Sequence, residues 1–347
     1  MVSGDHPATA LTIARQVGIQ ADRVVTGADF EKASGESLRN DMNQVNVFAR
    51  FRPEHKLKLV EWLQRDGEVV AMTGDGVNDA PALSRADVGV AMGQRGSDVS
   101  REVADLILLD DNFATIVAAT EEGRSIYENI QKFIRYLFST NLSEVLVVAV
   151  GALLAFFMNL RDDDGGLLVP LTAVQILWIN LVTDGLPALA LALDRNPGVM
   201  QRPPRPKNSL LLDGPSVRFI LLSGTIKAIL ALTLLGLIPW LNYSLDTARS
   251  VAFQFLAVGQ LFFVYPARHT SLRPLRNPTL HAVVMLGILL QIAVGLIPVT
   301  AKALDLVHLS IGLWVLVLGT ALLAWGSAEI VNRTFFRNEQ VSSGSTP

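Results

Sequence analysis

Six apolar runs dominate the chain beyond residue 135, each near the roughly 20 residues a helix needs to cross the hydrocarbon core of a bilayer. They fall at about 136–158, 171–193, 216–238, 248–266, 279–299 and 309–331. In lipid every backbone N–H and C=O must be satisfied within the spanning structure, so runs of this kind predict α-helices. The loops between them differ in charge. Arg195, Arg202, Arg205 and Lys207 lie in one loop, Arg268, Arg273 and Arg276 in another, and Arg333 and Arg337 in the tail. On the other side Arg161 is outweighed by Asp162, Asp163 and Asp164, and a second loop carries only Lys302. The asymmetry predicts that the amino-terminal part, both basic loops and the carboxyl tail are cytoplasmic. An even number of spans agrees with this.

The first 112 residues follow another regime, a dense mixture of charges, so the overall 50% hydrophobic and 18% charged composition describes neither half. A net charge of −3, with no basic cluster interleaved with aromatics, gives no case for nucleic acid. With no cysteine, disulfides, thiolate catalysis and Cys-ligated zinc are excluded. The histidines show no His-x-x-x-His spacing. No cleavable signal peptide is expected at the amino terminus.

Short β-rich runs recur at Arg23–Thr26, Val45–Phe48, Val69–Met72, Val88–Ala91 and Leu106–Leu109, and Met1-Val2 looks like the tail of another strand. Helical stretches such as Pro7–Val17 and Pro53–Gln64 lie between several of them, each with proline at a plausible first helical position. The alternation predicts a parallel sheet with helices on both faces.

One turn in this part concentrates chemistry. Met72-Thr73-Gly74-Asp75-Gly76-Val77-Asn78-Asp79-Ala80-Pro81 directly follows the apolar Val69-Val70-Ala71. A strand ending in such a turn sets its polar groups at the carboxyl edge of the sheet, where α/β proteins bind ligands. Glycines let a phosphate approach the backbone, and carboxylates there can hold Mg²⁺ through oxygen. The bland alternative is an Asp/Gly/Asn turn that merely joins strand to helix.

The run at 73–83 resembles the hinge motif of the P-type cation-transporting ATPases. The resemblance extends over almost the whole chain. Ser3-Gly4-Asp5 with Thr9-Ala10 is similar to the family's Thr-Gly-Asp segment. Val47-Phe48-Ala49-Arg50 and Pro53-Glu54-His55-Lys56 are similar to its Phe-Ala-Arg and Pro-x-x-Lys segments. Asp110-Asp111-Asn112-Phe113 and Gln131-Lys132-Phe133-Ile134-Arg135-Tyr136 resemble the joint into the membrane. Asn180-Leu181-Val182-Thr183-Asp184-Gly185-Leu186-Pro187 resembles the broken ion-binding helix of the calcium-pump branch. No Asp-Lys-Thr-Gly-Thr occurs, and nothing resembles the nucleotide-binding domain, the actuator domain or the first membrane helices. The expectation is therefore the carboxyl-terminal part of a pump. Its domains would be a partial Rossmann-like, haloacid-dehalogenase-type phosphorylation domain at 1–112, a helical stalk at 113–135, six membrane helices at 136–335 and a cytoplasmic tail at 336–347. Ser34-Gly35-Glu36-Ser37 resembles the family's dephosphorylation loop by string only, without the domain that would give it meaning.

The family forms an aspartyl-phosphate from ATP and hydrolyses it. The resemblance implies that Asp75 coordinates Mg²⁺, that Asn78 and Asp79 complete the pocket, and that Lys56 neutralises charge on the phosphoryl group. It also implies that Ser3 and Gly4 bind phosphoryl oxygens, with Asp5 in the same loop and Ser3 replacing the usual threonine. Without the motif, Lys56 beside Lys58 reads as a solvated helix residue.

Polar residues inside membrane spans are rare and usually functional. Asn141 and Glu144 share a helix face, as do Asn180, Thr183 and Asp184 at i, i+3, i+4 spacing. Gly185 and Pro187 are expected to break the second helix and free backbone groups into a polar cavity. Hydroxyl, amide and carboxylate oxygens are a hard ligand set that suits Ca²⁺. For Asn141 or Thr183 alone an interhelical hydrogen bond is the alternative. These five residues match cation ligands in pumps of the sarcoplasmic-reticulum type, whereas Gln260 stands where those pumps carry a glutamate and plasma-membrane-type pumps a glutamine. One carboxylate fewer bears on the first of two calcium sites. Two carboxylates facing across a helix gap also imply that protons compete with the cation. Lys227, inside the third run, is expected to snorkel toward the cytoplasmic interface, with pairing to a carboxylate in the bundle as the alternative.

The implied function is ATP-driven Ca²⁺ export at the plasma membrane, with Mg²⁺ as cofactor. The implied partners are lipid, the transported cation and a missing amino-terminal part in the same or a separate chain. Competing readings are transport of Na⁺, K⁺, Mg²⁺ or H⁺, a non-catalytic membrane protein that binds cations or regulates a pump, and a soluble-type haloacid dehalogenase phosphatase. Six spans argue against the last.

Overall fold

A computed structural model describes residues 1–32, 45–159, 161, 166–207, 209–268 and 277–342, with side chains to Phe336. Ser34-Gly35-Glu36-Ser37, the aspartates at 162–164, Arg273, Arg276 and the side chain of Arg337 lie outside the described residues. The chain divides into two units, residues 1–120 with 205–208 and residues 121–204 with 209–347.

The first unit is α/β, as its alternating pattern predicts. In order it comprises α1 (Pro7–Gln16), β1 (Val24–Thr26), α2 (Gly27–Lys32), β2 (Val47–Ala49), α3 (Pro53–Arg65), β3 (Ala71–Gly74), α4 (Ala80–Arg85), β4 (Val88–Met92), α5 (Asp98–Val103) and β5 (Leu106–Leu108). Pro7 and Pro53 open α1 and α3, where a missing N–H costs nothing. Among the described residues of this unit all strand pairings are parallel, but they make two sheets. β1 pairs β2 with Val25 opposite Phe48, and β3-β4-β5 form the second with Thr73 opposite Val90 and Ala91 opposite Ile107. The Met1-Val2 tail reaches the far side of β2 through a single bridge from Val2 to Phe48. Val25, Phe30, Phe48, Phe51 and Leu59 pack one small core, and Val60, Val70 and Ala82 another.

The second unit is helical. A continuous helix, α6 (Ala114–Phe157), runs 44 residues, so the expected stalk and first span are one element. Then come α7 (Ala173–Trp178), a π turn (Ile179–Asp184), α8 (Gly185–Ala192), α9 (Gly214–Trp240), α10 (Leu245–Ala267), α11 (Pro278–Leu296), α12 (Pro298–Ala303) and α13 (Ile311–Ser342). Among the described residues six helical segments are long and apolar enough to cross a membrane. Leu153, Leu189, Ile229, Leu289 and Leu323 stand exposed, the surface a lipid-facing helix presents. The helix α10 is buried nearly all round, and Val251, Phe255, Leu256 and Val258 make it the centre of the core. Opposite it α9 comes close to α6. A Cβ on Gly224 would lie 2.8 Å from the Ser139 carbonyl oxygen, so only glycine allows that approach.

Candidate functional site

At the carboxyl end of β3 the chain turns from Gly74 into a single 3₁₀ turn, Val77–Asp79, and then into α4 with Pro81 in its first turn. Gly74 is required by packing, because a Cβ there would fall 2.4 Å from that of Asp79. The turn thereby buries Asp79 against the strand end and leaves Asp75 and Asn78 exposed. Lys56, one turn into α3, donates to Asp79 Oδ1 at 2.5 Å, while Oδ2 faces the Gly76 N–H at 3.4 Å. The backbone of Asp75 is fixed from α5, since its carbonyl accepts from Ser97 N–H (2.8 Å) and Ser100 Oγ (3.2 Å). A main chain anchored from α5 thus carries an accessible carboxylate.

Ser3 and Asp5 form a separate turn held to the first sheet. Ser3 N–H donates to the Phe48 carbonyl, Phe51 N–H to the Ser3 carbonyl, and Ser3 Oγ to Asp5 Oδ2 at 2.7 Å. The hydroxyl and carboxylate of this loop satisfy one another, and the bonds that hold it come from β2 and the turn after it.

The helical unit holds a second polar centre. Asp184 is 1% exposed, with Tyr136 OH donating to Oδ1 (3.1 Å) and Thr140 Oγ1 to Oδ2 (3.1 Å). Glu144, also buried, accepts from the Gln260 amide nitrogen, and the Gln260 oxygen accepts from Thr183 Oγ1 at 3.0 Å. The Gln260 amide thus bridges α6 and the π turn by donating to one and accepting from the other, which an ionised glutamate cannot do. Asn141 is half-buried and Asn180 exposed, and neither supplies a bond that closes this cluster.

Two expectations change here. The helix does not break at Gly185 and Pro187 but widens into the π turn and continues as α8. Pro187 has no N–H for the carbonyl four residues earlier, that of Thr183. That freed oxygen accepts from Tyr136 OH at 3.1 Å, so the proline's cost is met from α6. Lys227 does not snorkel. It is 2% exposed at the midpoint of α9, its stem lies over Gly259 of α10, and among the described residues its ammonium has no hydrogen-bond partner. Tyr136 and Thr140 were absent from the expected set. Their spacing with Glu144, a polar stripe at i, i+4, i+8 on one apolar helix, is the signal that marks them.

Near the end of α8 a buried ionic network ties the bundle. Asp194 accepts from Lys132 (2.7 Å), from Arg268 through two nitrogens (2.8 and 2.9 Å) and from Asn277 (2.9 Å). Burial alone would raise its pKa, but the Arg268 and Lys132 hydrogen bonds and charges hold it below the ordinary carboxylate value. Among the described residues no three His, Cys, Asp or Glu side chains converge as a ready-made metal cage. The candidate sites are accordingly mixed sets of carboxylate, amide and hydroxyl.

Residues 168–334 match the family described as cation transporting ATPase, C-terminus, and residues 1–87 match the haloacid dehalogenase-like hydrolases. The chain is 41% identical over 327 residues to a calcium-transporting ATPase of Bacillus subtilis, an alignment covering 92% of this chain and 36% of that protein. It is 37% identical over 333 residues to a probable cation-transporting ATPase F of Mycobacterium tuberculosis, with 92% and 36% covered. An endoplasmic reticulum calcium ATPase of Aspergillus fumigatus is 45% identical over 253 residues, 70% of this chain and 24% of the relative. The chain thus spans little more than a third of the length of the first two relatives, and about a quarter of the third.

Proposed function

Because the chain belongs to the P-type cation-transporting ATPases, we propose that it supplies the ion-conducting helices and the Mg²⁺-binding turn of a pump that exports Ca²⁺. The observation carrying this reading is the closed oxygen cluster in the helical unit. Asp184, Glu144, Thr183 and Gln260 are all buried; Gln260 of α10 links Glu144 of α6 to Thr183 of the π turn, and Asp184 is held to α6 through Tyr136 and Thr140. Carboxylate, hydroxyl and amide oxygens favour a hard cation, and an interior carboxylate without one is costly. Asn141 and Asn180 are proposed to complete the coordination of the transported ion.

On the cytoplasmic side Asp75, accessible on a fixed backbone, fits Mg²⁺, which takes one or two carboxylates plus waters and substrate phosphate. When bound there the metal would offset charge on the transferred phosphoryl group. Lys56, now paired with Asp79, is positioned to shift to that group, and Asn78 lines the same turn. Ser3, Gly4 and Asp5 are proposed to hold phosphoryl oxygens. ATP and the phosphorylated carboxylate belong to the whole pump. None of the 347 residues reproduces Asp-Lys-Thr-Gly-Thr, so this chain by itself is expected to incorporate no phosphate from ATP. The plasma membrane is the proposed location, and the charged loops support an orientation with the α/β unit and carboxyl end in the cytoplasm.

The test is Ca²⁺ uptake into inverted vesicles from cells in which this chain works with the segments its relatives carry. Asp184→Asn is expected to remove nearly all uptake. Uptake indifferent to Asp184→Asn, or driven by Na⁺ or Mg²⁺ without Ca²⁺, overturns the ion assignment. Phosphate incorporated at an aspartate of the isolated chain overturns its predicted inactivity.

A further inference from the structure

Trp178 is the residue from which the π turn departs, and the proposed function leaves its hydrogen bond unused. Its indole N–H donates to Gln291 Oε1 of α11 at 3.0 Å, and Gln291 Nε2 donates to Gln254 Oε1 of α10 at 2.8 Å. Both glutamines are buried within their helices. An unpaired amide in such a place is costly, so a glutamine there is held by what it bonds. Chemistry fixes the direction of the chain. An indole N–H can only donate, so Gln291 must accept with its oxygen and give its own N–H to Gln254. All three groups are neutral, and the chain therefore holds its geometry without drawing on the charges of Asp184 or Glu144.

The short α7 is tied a second time. Gln175 Nε2 donates to the Leu304 carbonyl at 3.0 Å, and Gln175 Oε1 accepts from Thr172 N–H at 3.0 Å. This helix is thus anchored through its third and its last residue. The chain beyond is anchored separately, to α6. Tyr136 serves the Thr183 carbonyl and Asp184, and Asn129 Nδ2 donates to the Ala192 carbonyl at 3.0 Å. Residues 179–184 join these two fixed halves as a π turn, which carries more residues per turn than an α-helix. Relaxing it to α geometry by one residue would rotate one half against the other by about 100°, one residue's share of a 3.6-residue turn. Asp184 would then swing away from the hydroxyls of Tyr136 and Thr140. The helix α10 meets this stretch twice: Gln260 takes the Thr183 hydroxyl directly, and Gln254 reaches Trp178 through Gln291.

We propose that Trp178, Gln291 and Gln254 are positioning residues for the transported cation: their hydrogen-bond chain fixes the upstream end of the π turn, and the turn so held sets where Thr183 and Asp184 stand. The proposal rests on reading the cluster as the cation site. The three residues touch no ion and act through the turn. Ca²⁺ takes its oxygens at about 2.3–2.6 Å, so a few tenths of an ångström in ligand spacing separate it from the larger Sr²⁺. With the anchor removed, α7 can turn, the π turn relaxes, and the oxygens no longer match one ionic radius. Affinity falls and discrimination by size falls with it, while the steps that follow at saturating ion are unchanged.

The test is uptake of Ca²⁺ and of Sr²⁺ into inverted vesicles from cells in which this chain works with the segments its relatives carry. Wild type is compared with Trp178→Phe, Gln291→Met, Gln254→Met, the double variant Trp178→Phe/Gln291→Met, and Asp184→Asn. Met fills the space of Gln without its amide, and Phe keeps an aromatic ring without the N–H. Each single variant of the chain is expected to raise half-saturating Ca²⁺ about fivefold or more, the scale of one lost buried hydrogen bond. The maximal rate is expected to stay within about twofold of wild type. The ratio of half-saturating Sr²⁺ to Ca²⁺ is expected to move toward one, and the double variant to match Gln291→Met, because both changes act on one chain. Trp178→Phe leaves the two glutamines bonded to each other and carries the test by itself where a methionine variant does not reach the membrane. A Sr²⁺ to Ca²⁺ ratio that stays as in wild type, or moves away from one, makes the chain a packing device. The proposal then falls, and the site stands if Asp184→Asn still abolishes uptake. If Asp184→Asn leaves uptake unchanged, the cation reading itself falls and takes the proposal with it.

Discussion

The two units treat their carboxylates in opposite ways. In the α/β unit Asp87, Asp105 and Asp111 each accept from backbone N–H groups, while the buried Asp79 is held by Lys56. Asp87 accepts from Val70 N–H (3.0 Å), Asp105 from Gly89 N–H (2.8 Å), and Asp111 from Gln94 and Arg95 N–H (2.9 and 3.0 Å). In the helical unit Asp184, Glu144 and Asp194 are held by the side chains of Tyr136, Thr140, Gln260, Lys132, Arg268 and Asn277. The difference follows from where free N–H groups exist. Strand ends and turns leave donors unspent, whereas an α-helix consumes its own beyond the first turn. A carboxylate buried among helices must therefore find donors on other helices, which makes it expensive to move and easy to tie to an ion.

The largest test of that contrast is Asp194→Asn. The amide keeps an acceptor oxygen but removes the charge that Lys132 and Arg268 share, leaving both cations buried beside a neutral group. Breaking a buried pair in this way costs about 3–5 kcal/mol, to be read as a lower thermal or denaturant midpoint of the detergent-solubilised chain. Wild type should show the matching pH dependence. Asp194 is held below its unfolded value, so its contribution is fully present above the unfolded pKa near 3.9 and is lost as pH falls through the lower folded value. A loss under about 1 kcal/mol would mean that side-chain-held carboxylates are no more costly to disturb than backbone-held ones.

Next in size is Tyr136→Phe. The phenol serves both Asp184 and the Thr183 carbonyl freed by Pro187, and Phe satisfies neither. The expected loss is about 1–2 kcal/mol, with the π turn as the segment that opens in hydrogen exchange. Unchanged protection at residues 179–184 would show that the widened turn needs no support from α6.

These partnerships explain what was legible in the sequence. The aspartates of the α/β unit find donors 16 or 17 residues away, in turns whose composition already marks them. The strand ends, the proline-led helices and the Gly- and Asp-rich turn after β3 could accordingly be read from the chain, although the Lys56–Asp79 pair and the division into two sheets could not. The membrane cluster joins residues 44 to 116 positions apart. Residue type and helix face put Glu144, Thr183 and Asp184 on the candidate set. Only packing shows that Gln260 bridges, that Asn180 stays exposed, and that Lys227 is buried against Gly259 on a helix that Gly224 draws onto α6. Snorkelling is the natural expectation for a lysine whose neighbours are unknown.

A smaller effect is expected at Asp105→Asn. Its partner is a neutral N–H from Gly89, which an amide oxygen accepts about as well, so the change should stay within about 1 kcal/mol in thermal unfolding. A loss rivalling that of Asp194→Asn would erase the distinction between the two units.

The smallest effect belongs to Lys207→Ala, and its value lies in separating charge from backbone at one carboxylate. Asp87 accepts from Val70 N–H at 3.0 Å, pairs with Lys207 at 2.9 Å and accepts from Gln64 at 3.1 Å. Together these hold its pKa down to about 2, with the Val70 backbone bond as the largest cause and Lys207 second. If backbone donors dominate this unit, Lys207→Ala raises that pKa only part of the way toward 3.8, as followed by carboxyl NMR titration. The accompanying stability change should be no more than about 1 kcal/mol, the usual scale of a solvent-accessible ion pair, and should shrink further in high salt. The sign is fixed by the lowered pKa: any loss appears at neutral pH and fades on acidification toward 2, where Asp87 is protonated with or without its lysine. A pKa that returns fully to the ordinary value in the variant would make Lys207, and not Val70, the group that holds Asp87, and the α/β unit would then anchor its acids as the helical unit does.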